Sequence, residues 1–372
     1  MSVKVCVIST VHKAFDIRIF HKVCKTLVAI GYDVTLIAPH DKSEVVDGIK
    51  ILHLSKSQNR FKRMTKDVWV SYRKALKLNA DIYHLHDPEL LPIGLLLKIH
   101  GKKVIYDMHE NVPKQIQDKY WIKPRYRNLL AKIFLMLERI FLYNIPVIFA
   151  ENSYRDDYLW VRKCTTVLNM PLIDQLSVFK MDKPMDREVT IGYVGTVTAE
   201  RGSLITIQAL KILKDLNIKI QFECVGPIDK PHEMQLLKLC EEYDLNSVRF
   251  YGQKPVREAW SIIAQCHIGL SILEPIPNSI DSYPTKMFEY MALAIPVITS
   301  NFPLYRSVVE KEQCGICVNP LDAKEVAEAI SWLLDNPNEA TVMGENGRKA
   351  VLEKYNWEAE SKKLIKFYEE IL

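Results

Sequence analysis

The chain of 372 residues has no uncharged apolar run long enough to span a bilayer, which takes roughly 18 residues. Its longest apolar stretch, from Leu129 to Ala150, is broken by Lys132, Glu138 and Arg139. There is no low-complexity tract, so long disorder is not expected. There is no Asp-any-Asp pair, the arrangement that often holds a divalent ion on a diphosphate, and no metal or other cofactor is expected. Cys314-Gly-Ile-Cys317 has metal-ligand spacing but no second such pair, so a small packed turn is the expected reading. Eight scattered cysteines, with Cys6 and Cys224 in apolar runs, fit a reducing compartment. The first ten residues lack a small-residue cleavage site and read as a strand. A cytoplasmic protein is expected.

What is present is an alternation of apolar runs and helical periods. Val3–Ser9, Val34–Ala38, Asp81–His86, Lys103–Asp107, Val147–Ala150 and Thr165–Leu168 read as buried strands. Ile19–Ile30 has helical spacing and stops at Gly31. Residues 170–188 contain Pro171 and Pro184 without a clear period and read as a linker. A second strand–helix series follows from Thr190. The expected fold class is α/β, with two doubly wound domains. The first covers 1–178 and is rejoined by a C-terminal helix at 358–372. The second covers 179–357. Ligand is expected at the carboxyl ends of the strands.

Charge is divided unevenly. Residues 1–178 hold 28 Lys and Arg against 17 acids, a net +11. Residues 179–372 hold 22 against 28, a net −6. Residues 56–77 alone carry eight bases and one acid, Asp67. Phe61, Met64, Val68, Trp69 and Tyr72 interleave with them at near-helical spacing, the pattern of an interfacial helix on an anionic membrane surface. A solvated surface face is the plainer alternative. No nucleic-acid motif accompanies the cations.

The segment from Asp281 to Ser300 carries the most chemistry. Pro284 suits a helix start, and Lys286 and Glu289 stand three apart on one face. Free backbone N–H groups, the positive helix end and Lys286 suit a phosphate. Glu289, one turn in, suits paired ribose hydroxyls. Upstream, Gly195-Thr196 follows a strand, and Arg201-Gly202 opens a helix. In the first half His84, His86 and Asp87 end one strand, and Asp107 and His109 end the next. His84 reads as a packed strand residue. His84, His86 and His109 also suit zinc, but no further ligand set accompanies them. In the first loop His12, Asp16 and Arg18 leave two readings open: contact with donor or acceptor, or a helix N-cap by Asp16.

The segment 281–300 resembles the donor-site motif of retaining glycosyltransferases of family four, of GT-B fold, in the form common among bacterial polysaccharide enzymes. That motif has two acids separated by seven residues, then Ala-Met-Ala and a Pro-Val strand. Here the acids are Asp281 and Glu289, followed by Tyr-Met-Ala-Leu-Ala-Ile-Pro-Val. Gly195 to Gly202 resembles the family's turn with two diphosphate-binding cations. Arg201 matches the second, Thr196 stands at the first, and Lys286 would replace the missing charge. His109 matches the family's histidine near donor sugar and acceptor. The resemblance implies catalytic roles for His109, Asp281, Arg201 and Lys286. It implies donor contacts from Gly195, Thr196, Arg201, Lys286 and Glu289, and acceptor-side roles for His12, Arg18, His86 and Asp87. It implies transfer from a nucleotide sugar, a UDP-sugar first of all, to a glycan or lipid-linked acceptor, without a metal. A sugar-nucleotide epimerase and a non-catalytic nucleotide-sugar or lipid-surface module are the alternatives.

Overall fold

The computed structural model describes residues 2–55, 57, 59–119, 122–176, 178–179 and 189–372. Lys56 of the basic stretch, and Ser177 and residues 180–188 of the expected linker, lie outside the described residues. The chain forms two compact units. One is Met1–Asn169 with Trp357–Leu372, and the other is Met170–Asn356. The first division falls at Asn169, ahead of the expected 178.

In the first unit an eight-stranded sheet has the order β3-β4-β2-β1-β5-β6-β7-β8. Its strands are β1 (Lys4–Ile8), β2 (Asp33–Pro39), β3 (Glu44–Val46), β4 (Ile49–Leu54), β5 (Ile82–Leu85), β6 (Lys103–Met108), β7 (Val147–Phe149) and β8 (Cys164–Thr166). All neighbours pair parallel except β3 and β4. Those two form a hairpin turned at Asp47-Gly48, both at positive φ, as a tight Asp-Gly hairpin turn requires. Burial of Val5–Ile8 in β1 and of all of β5 follows from their mostly apolar sequences, covered on both faces.

A π-wound segment, Ile17–Cys24, runs into helix α1 (Lys25–Ala29). Asp16 caps it, its Oδ1 accepting from the backbone of Arg18 and Ile19. Short helical turns, Arg60–Lys62 and Arg63–Asp67, lead into α2 (Val68–Leu78). Helices α3 (Leu91–Ile99), α4 (Val112–Asp118) and α5 (Pro124–Phe141) follow. Side chains alternate across each strand. Cys6, Ile8, Tyr83, Leu85 and Tyr106 share a core with Val68 and Tyr72 of α2 and Leu97 of α3. Val68 and Tyr72 therefore point inward, a correction to their expected place on an exposed interfacial face. Phe61, Met64 and Trp69 are exposed.

The helix Trp357–Ile371 packs on α1 and β8. Its Trp357 Nε1 donates to Thr26 Oγ1 at 2.9 Å, and Glu360 accepts from the backbone N–H of Leu168 at 2.8 Å. Leu364, Phe367 and Tyr368 are buried.

The second unit holds a six-stranded parallel sheet, order β11-β10-β9-β12-β13-β14. Its strands are β9 (Val189–Val194), β10 (Ile220–Val225), β11 (Val248–Phe250), β12 (Ile268–Ser271), β13 (Val297–Ser300) and β14 (Gly315–Val318). Within the unit this is the dinucleotide-fold order 3-2-1-4-5-6. The helices used below are α6 (Ser203–Asp215), α7 (Lys230–Glu242) and α8 (Thr285–Ala292). Cys317 lies in strand β14, and buried Cys314 just precedes it, so the expected packed turn is corrected to a strand. In each sheet the order reverses once, beside β1 and β5 and beside β9 and β12. Those reversals open the crevices where α/β sheets take ligands.

Leu364 anchors the returning helix and is fully buried. Leu364→Ala is expected to destabilise the first unit by about 2–5 kcal/mol. In urea, the first unit's transition should move to lower concentration while that of the second unit stays in place.

Candidate functional sites

In the second unit the carboxyl end of β9 leads into Gly195, at φ 128°. Gly226, after β10, has φ 153°, and a Cβ there would lie 1.8 Å from the carbonyl oxygen of Gly195. No other residue fits that approach. Thr196 is exposed, and its carbonyl accepts from Tyr193 Oη at 2.7 Å. The turn Ala199–Arg201 and Gly202, at φ 76°, open helix α6. A Cβ built on Gly195 would lie 3.8 Å from Arg201 Nη1 and 4.0 Å from Lys286 Nζ. Two cations from segments 85 positions apart thus converge over one glycine.

Helix α8 delivers Lys286. Pro284 stands at its N-cap. Tyr290 pins the helix across the crevice, accepting from the N–H of Val194 at 2.9 Å and donating to the carbonyl of Leu270 at 3.3 Å. Lys286 is buried, and among the described residues its Nζ has no hydrogen-bond partner. The Nζ lies 4.0 Å from the ring centroid of Tyr193, a cation–π contact. Burial, then the Arg201 charge, push the Lys286 ammonium down to about 7. Two adjacent cations, one desolvated and unpaired, make an anion site whose electrostatics improve when an anion enters. Glu289 stands one turn further along α8, half-buried. Asp281 is exposed, in the turn after Pro277–Ile280. Tyr193, which seats Lys286, escaped sequence reading, because nothing in its strand marks which aromatic faces a cation.

The first unit carries a histidine cluster at the ends of β1, β5 and β6. His86 Nδ1 and His109 Nε2 lie 2.8 Å apart, so one donates and the other accepts. The rings of His84 and His86 stack at 4.4 Å, and those of His12 and His109 lie 5.9 Å apart. Beneath them Asp107 is fully buried. Arg18 Nη2 donates to its Oδ1 at 2.9 Å, and Arg18 Nε to its Oδ2 at 3.3 Å. Burial alone would raise the Asp107 carboxyl, but the Arg18 guanidinium overrides it and holds it well below the usual range. Arg18 also donates to the carbonyl of Val167 at 2.9 Å. The expected acceptor-side role of Arg18 is therefore corrected: its side chain is buried beneath the site and spent on Asp107. His84 Nδ1 meets Tyr368 Oη at 2.6 Å, tying the cluster to the C-terminal helix.

Burial pushes His109 down to about 4, against the opposing pull of Asp107. His86 is lowered in the same direction, by burial and then by His84. His109 remains 17% exposed, enough to reach a ligand. His12 pairs with Asp16 Oδ2 at 3.2 Å, and that contact raises its pKa. Asp87 is buried, where Oδ2 accepts from Ser9 Oγ at 2.9 Å and from the N–H groups of Thr10 and Val11 at 2.6 and 3.2 Å. The carboxylate thus occupies the anion nest of the first loop, and its expected acceptor contact gives way to holding that loop. Ligand atoms of His84, His86 and Asp107 all lie within 4.8 Å of one another. A cation among them would sit beside the Arg18 guanidinium, which makes the group a poor metal cradle.

Family models for glycosyl transferases group 1 and for Glycosyltransferase Family 4 match residues 177–350 and 18–159. The chain belongs to the family-four glycosyltransferases. It is 24% identical over 184 residues to the capsular polysaccharide biosynthesis glycosyltransferase CapM of Staphylococcus aureus, a match covering 48% of this chain and 45% of CapM. It is 25% identical over 194 residues to the D-inositol 3-phosphate glycosyltransferase of Corynebacterium urealyticum, covering 50% and 43%. The matches span less than half the length of these curated relatives. Among solved structures, sucrose-phosphate synthase from Thermosynechococcus elongatus aligns over 99% of both chains with a TM-score of 0.76 and 21% identity. Anabaena HepE in complex with UDP and glucose aligns over 99% of this chain and 100% of that one, with a TM-score of 0.71 and 12% identity. At such identities these two show the fold, which is GT-B.

A neutral His109 has a definite pH signature. The folded pKa of about 4 lies below the unfolded value near 6.5, so the folded state binds fewer protons between them. Its contribution to stability is present above about pH 6.5 and is lost as pH falls toward 4. An NMR titration of the His109 ring is expected to show a midpoint near 4; a midpoint near that of a surface histidine would refute the burial argument.

Proposed function

We propose that this protein is a retaining, metal-independent glycosyltransferase. It would move a sugar from a nucleotide sugar, a UDP-sugar first of all, to a glycan or lipid-linked acceptor in cell-surface polysaccharide synthesis. One observation carries the reading: the buried Lys286 ammonium, without a hydrogen-bond partner among the described residues, converging with Arg201 over Gly195 at the sheet reversal of the second unit. Cell-surface synthesis is supported by the names of relatives, such as CapM and the lipopolysaccharide glycosyltransferase WaaG. A uridine donor is supported by the UDP and UDP-glucose in the HepE structures.

The residues divide the work by chemistry. Arg201 and Lys286 hold the diphosphate and stabilise the negative charge that grows on it as the glycosidic bond breaks. Preorganised charge of this kind is usually the largest catalytic contribution. The backbone N–H of Thr196 lies in the same turn, whereas that of Gly195 is spent on the carbonyl of Val225 at 3.0 Å. Glu289 accepts from the ribose hydroxyls, and Asp281 reaches toward the donor sugar. On the acceptor side His109, neutral at physiological pH, hydrogen-bonds without adding charge. His12 and His86 flank it. Exposed cations of the 56–77 stretch hold the protein against an anionic membrane surface where a lipid-linked acceptor is presented. Working places are the cytoplasm and the inner face of the membrane. Hydrolysis of a panel of nucleotide sugars without acceptor separates transfer from epimerisation and from mere binding.

Three outcomes test the donor site. Glu289→Ala leaves ribose hydroxyls unpaired and is expected to weaken UDP-sugar binding by about 1–3 kcal/mol. Unchanged affinity in calorimetry, with the fold intact, would overturn that role. Turnover is expected to survive excess EDTA; loss restored by manganese or magnesium would overturn metal independence. Lys286 should gain a proton when a diphosphate arrives, because an anion raises a pKa that lies near 7 in the free protein. At pH 8, calorimetry in buffers of different ionisation heat is expected to show proton uptake on UDP binding, with affinity falling as pH rises above 7. Lys286→Met should abolish the uptake.

A further inference from the structure

Helix α5 (Pro124–Phe141) is unusual for a helix of a three-layer α/β unit. Its only fully buried side chains are Ala131 and Glu138. Leu129, Leu130, Ile133, Met136, Leu137 and Ile140 are all more than a third exposed, and the first of them reaches 57%. They recur every three or four residues, so they line one stripe along the helix. Exposed Tyr126 and Tyr143 mark the two ends of that stripe. A contiguous apolar face of this length marks an interaction site, because isolated exposed leucines need no partner but a full stripe does.

The exposed charges of α5, of α3 and of the segment through α2 have one sign. Helix α5 carries Arg125, Arg127, Lys132 and Arg139, and its single acid, Glu138, is buried against Tyr158 Oη at 2.8 Å. Burial raises that carboxyl to about 7. Helix α3 packs between α5 and α2. It adds Lys98 and no acid, and it exposes Leu96 and Ile99. The segment through α2 adds seven bases from Arg60 to Lys77 and one acid, Asp67, which is also buried. Phe61, Met64 and Trp69 are exposed there. One layer of three adjacent helices thus presents apolar side chains and cations, and it withholds both of its acids from the surface.

We infer that this layer is a membrane-docking face, with α5 lying flat on an anionic bilayer, its apolar stripe entered between the acyl chains and its cations at the headgroups. The inference rests on the proposed function only for what docking serves, presentation of a lipid-linked acceptor. Charge decides the occupant. A second copy of the chain laid face to face would bring cations against cations, whereas anionic lipid complements every exposed charge of the layer. The helix lies on the membrane and does not cross it: among the described residues no helix is long and apolar enough to span. The basic stretch is thereby the electrostatic rim of a larger surface. Within that stretch Arg63 makes a two-pronged pair with Glu89 at 2.9 and 3.1 Å, so it is not among the lipid-facing cations.

The test uses the full chain and vesicles of pure phosphatidylcholine or of phosphatidylcholine enriched in phosphatidylglycerol. Wild type is expected to sediment with the anionic vesicles alone. The surface variant Leu129→Ser/Ile133→Ser/Ile140→Ser should keep its thermal midpoint and bind these vesicles at least about tenfold more weakly. Arg60→Ser/Lys62→Ser/Lys66→Ser should also bind more weakly, and at about 1 M salt, where the Debye length is about 3 Å, what remains should come from the apolar stripe. Equal binding by the α5 variant would overturn the inference, as would no binding of wild type to either vesicle. A concentration-dependent dimer in ultracentrifugation, dissolved by the α5 variant, would overturn it in favour of self-association. UDP-sugar calorimetry on the same proteins reads the donor site separately, so failure there leaves the vesicle result interpretable.

Discussion

The Arg18–Asp107 ion pair is the contact on which the first unit's site depends. Both groups are buried. Such a pair adds little net stability, because desolvation offsets most of its attraction. Breaking it is another matter, since a lone buried charge costs about 3–5 kcal/mol. Asp107 is therefore held charged in a fixed place. Above it His84, His86 and His109 are held by carboxylate, by one another and by Tyr368. Arg18 in turn ties the segment capped by Asp16 to the carbonyl of Val167. One charge pair thus coordinates the ends of β1, β5 and β6 and the chain at Val167.

The two units handle anions in opposite ways. In the first, the loop after β1 spends its backbone N–H groups on Asp87, and Arg63 is spent on Glu89, which also accepts from Thr10 Oγ1 at 2.6 Å. That unit satisfies its anion sites internally. In the second, Lys286 is desolvated, seated on an aromatic ring and, among the described residues, left without a hydrogen-bond partner. An arrangement that costs stability in the free protein is expected where a ligand compensates it. The proposed diphosphate contacts accordingly lie in the second unit. The chain-wide division of charge, basic in the first half and acidic in the second, belongs to surfaces and not to this site.

Much of the fold was legible because its signals are local. Unbroken apolar runs such as Val3–Ser9 cannot be half-buried, and their alternation with helical periods implies parallel sheets. Lys286 and Glu289 were legible for the same reason, since a three-residue spacing after a proline places both on one helical face whatever surrounds them. The hairpin of β3 and β4 was missed although Asp47-Gly48 marks its turn, because its strands are short. Cys314 and Cys317 misled, because metal-like spacing does not distinguish a turn from a strand.

By itself the sequence determined the alternating α/β build, the helix that presents Lys286 and Glu289, and the excess of cations in the first half. Each depends on residues within a turn or two of one another. Only the tertiary structure decided which groups meet across the chain. Arg18 finds Asp107 at a separation of 89 residues, and His84 finds Tyr368 at 284. It also decided which way an amphipathic stripe faces. The spacing of Leu129, Ile133 and Ile140 is the same for a face turned to the core as for one turned outward. The core of the first unit is already filled by Tyr83, Leu85, Tyr106 and Phe149, so that stripe is left at the surface.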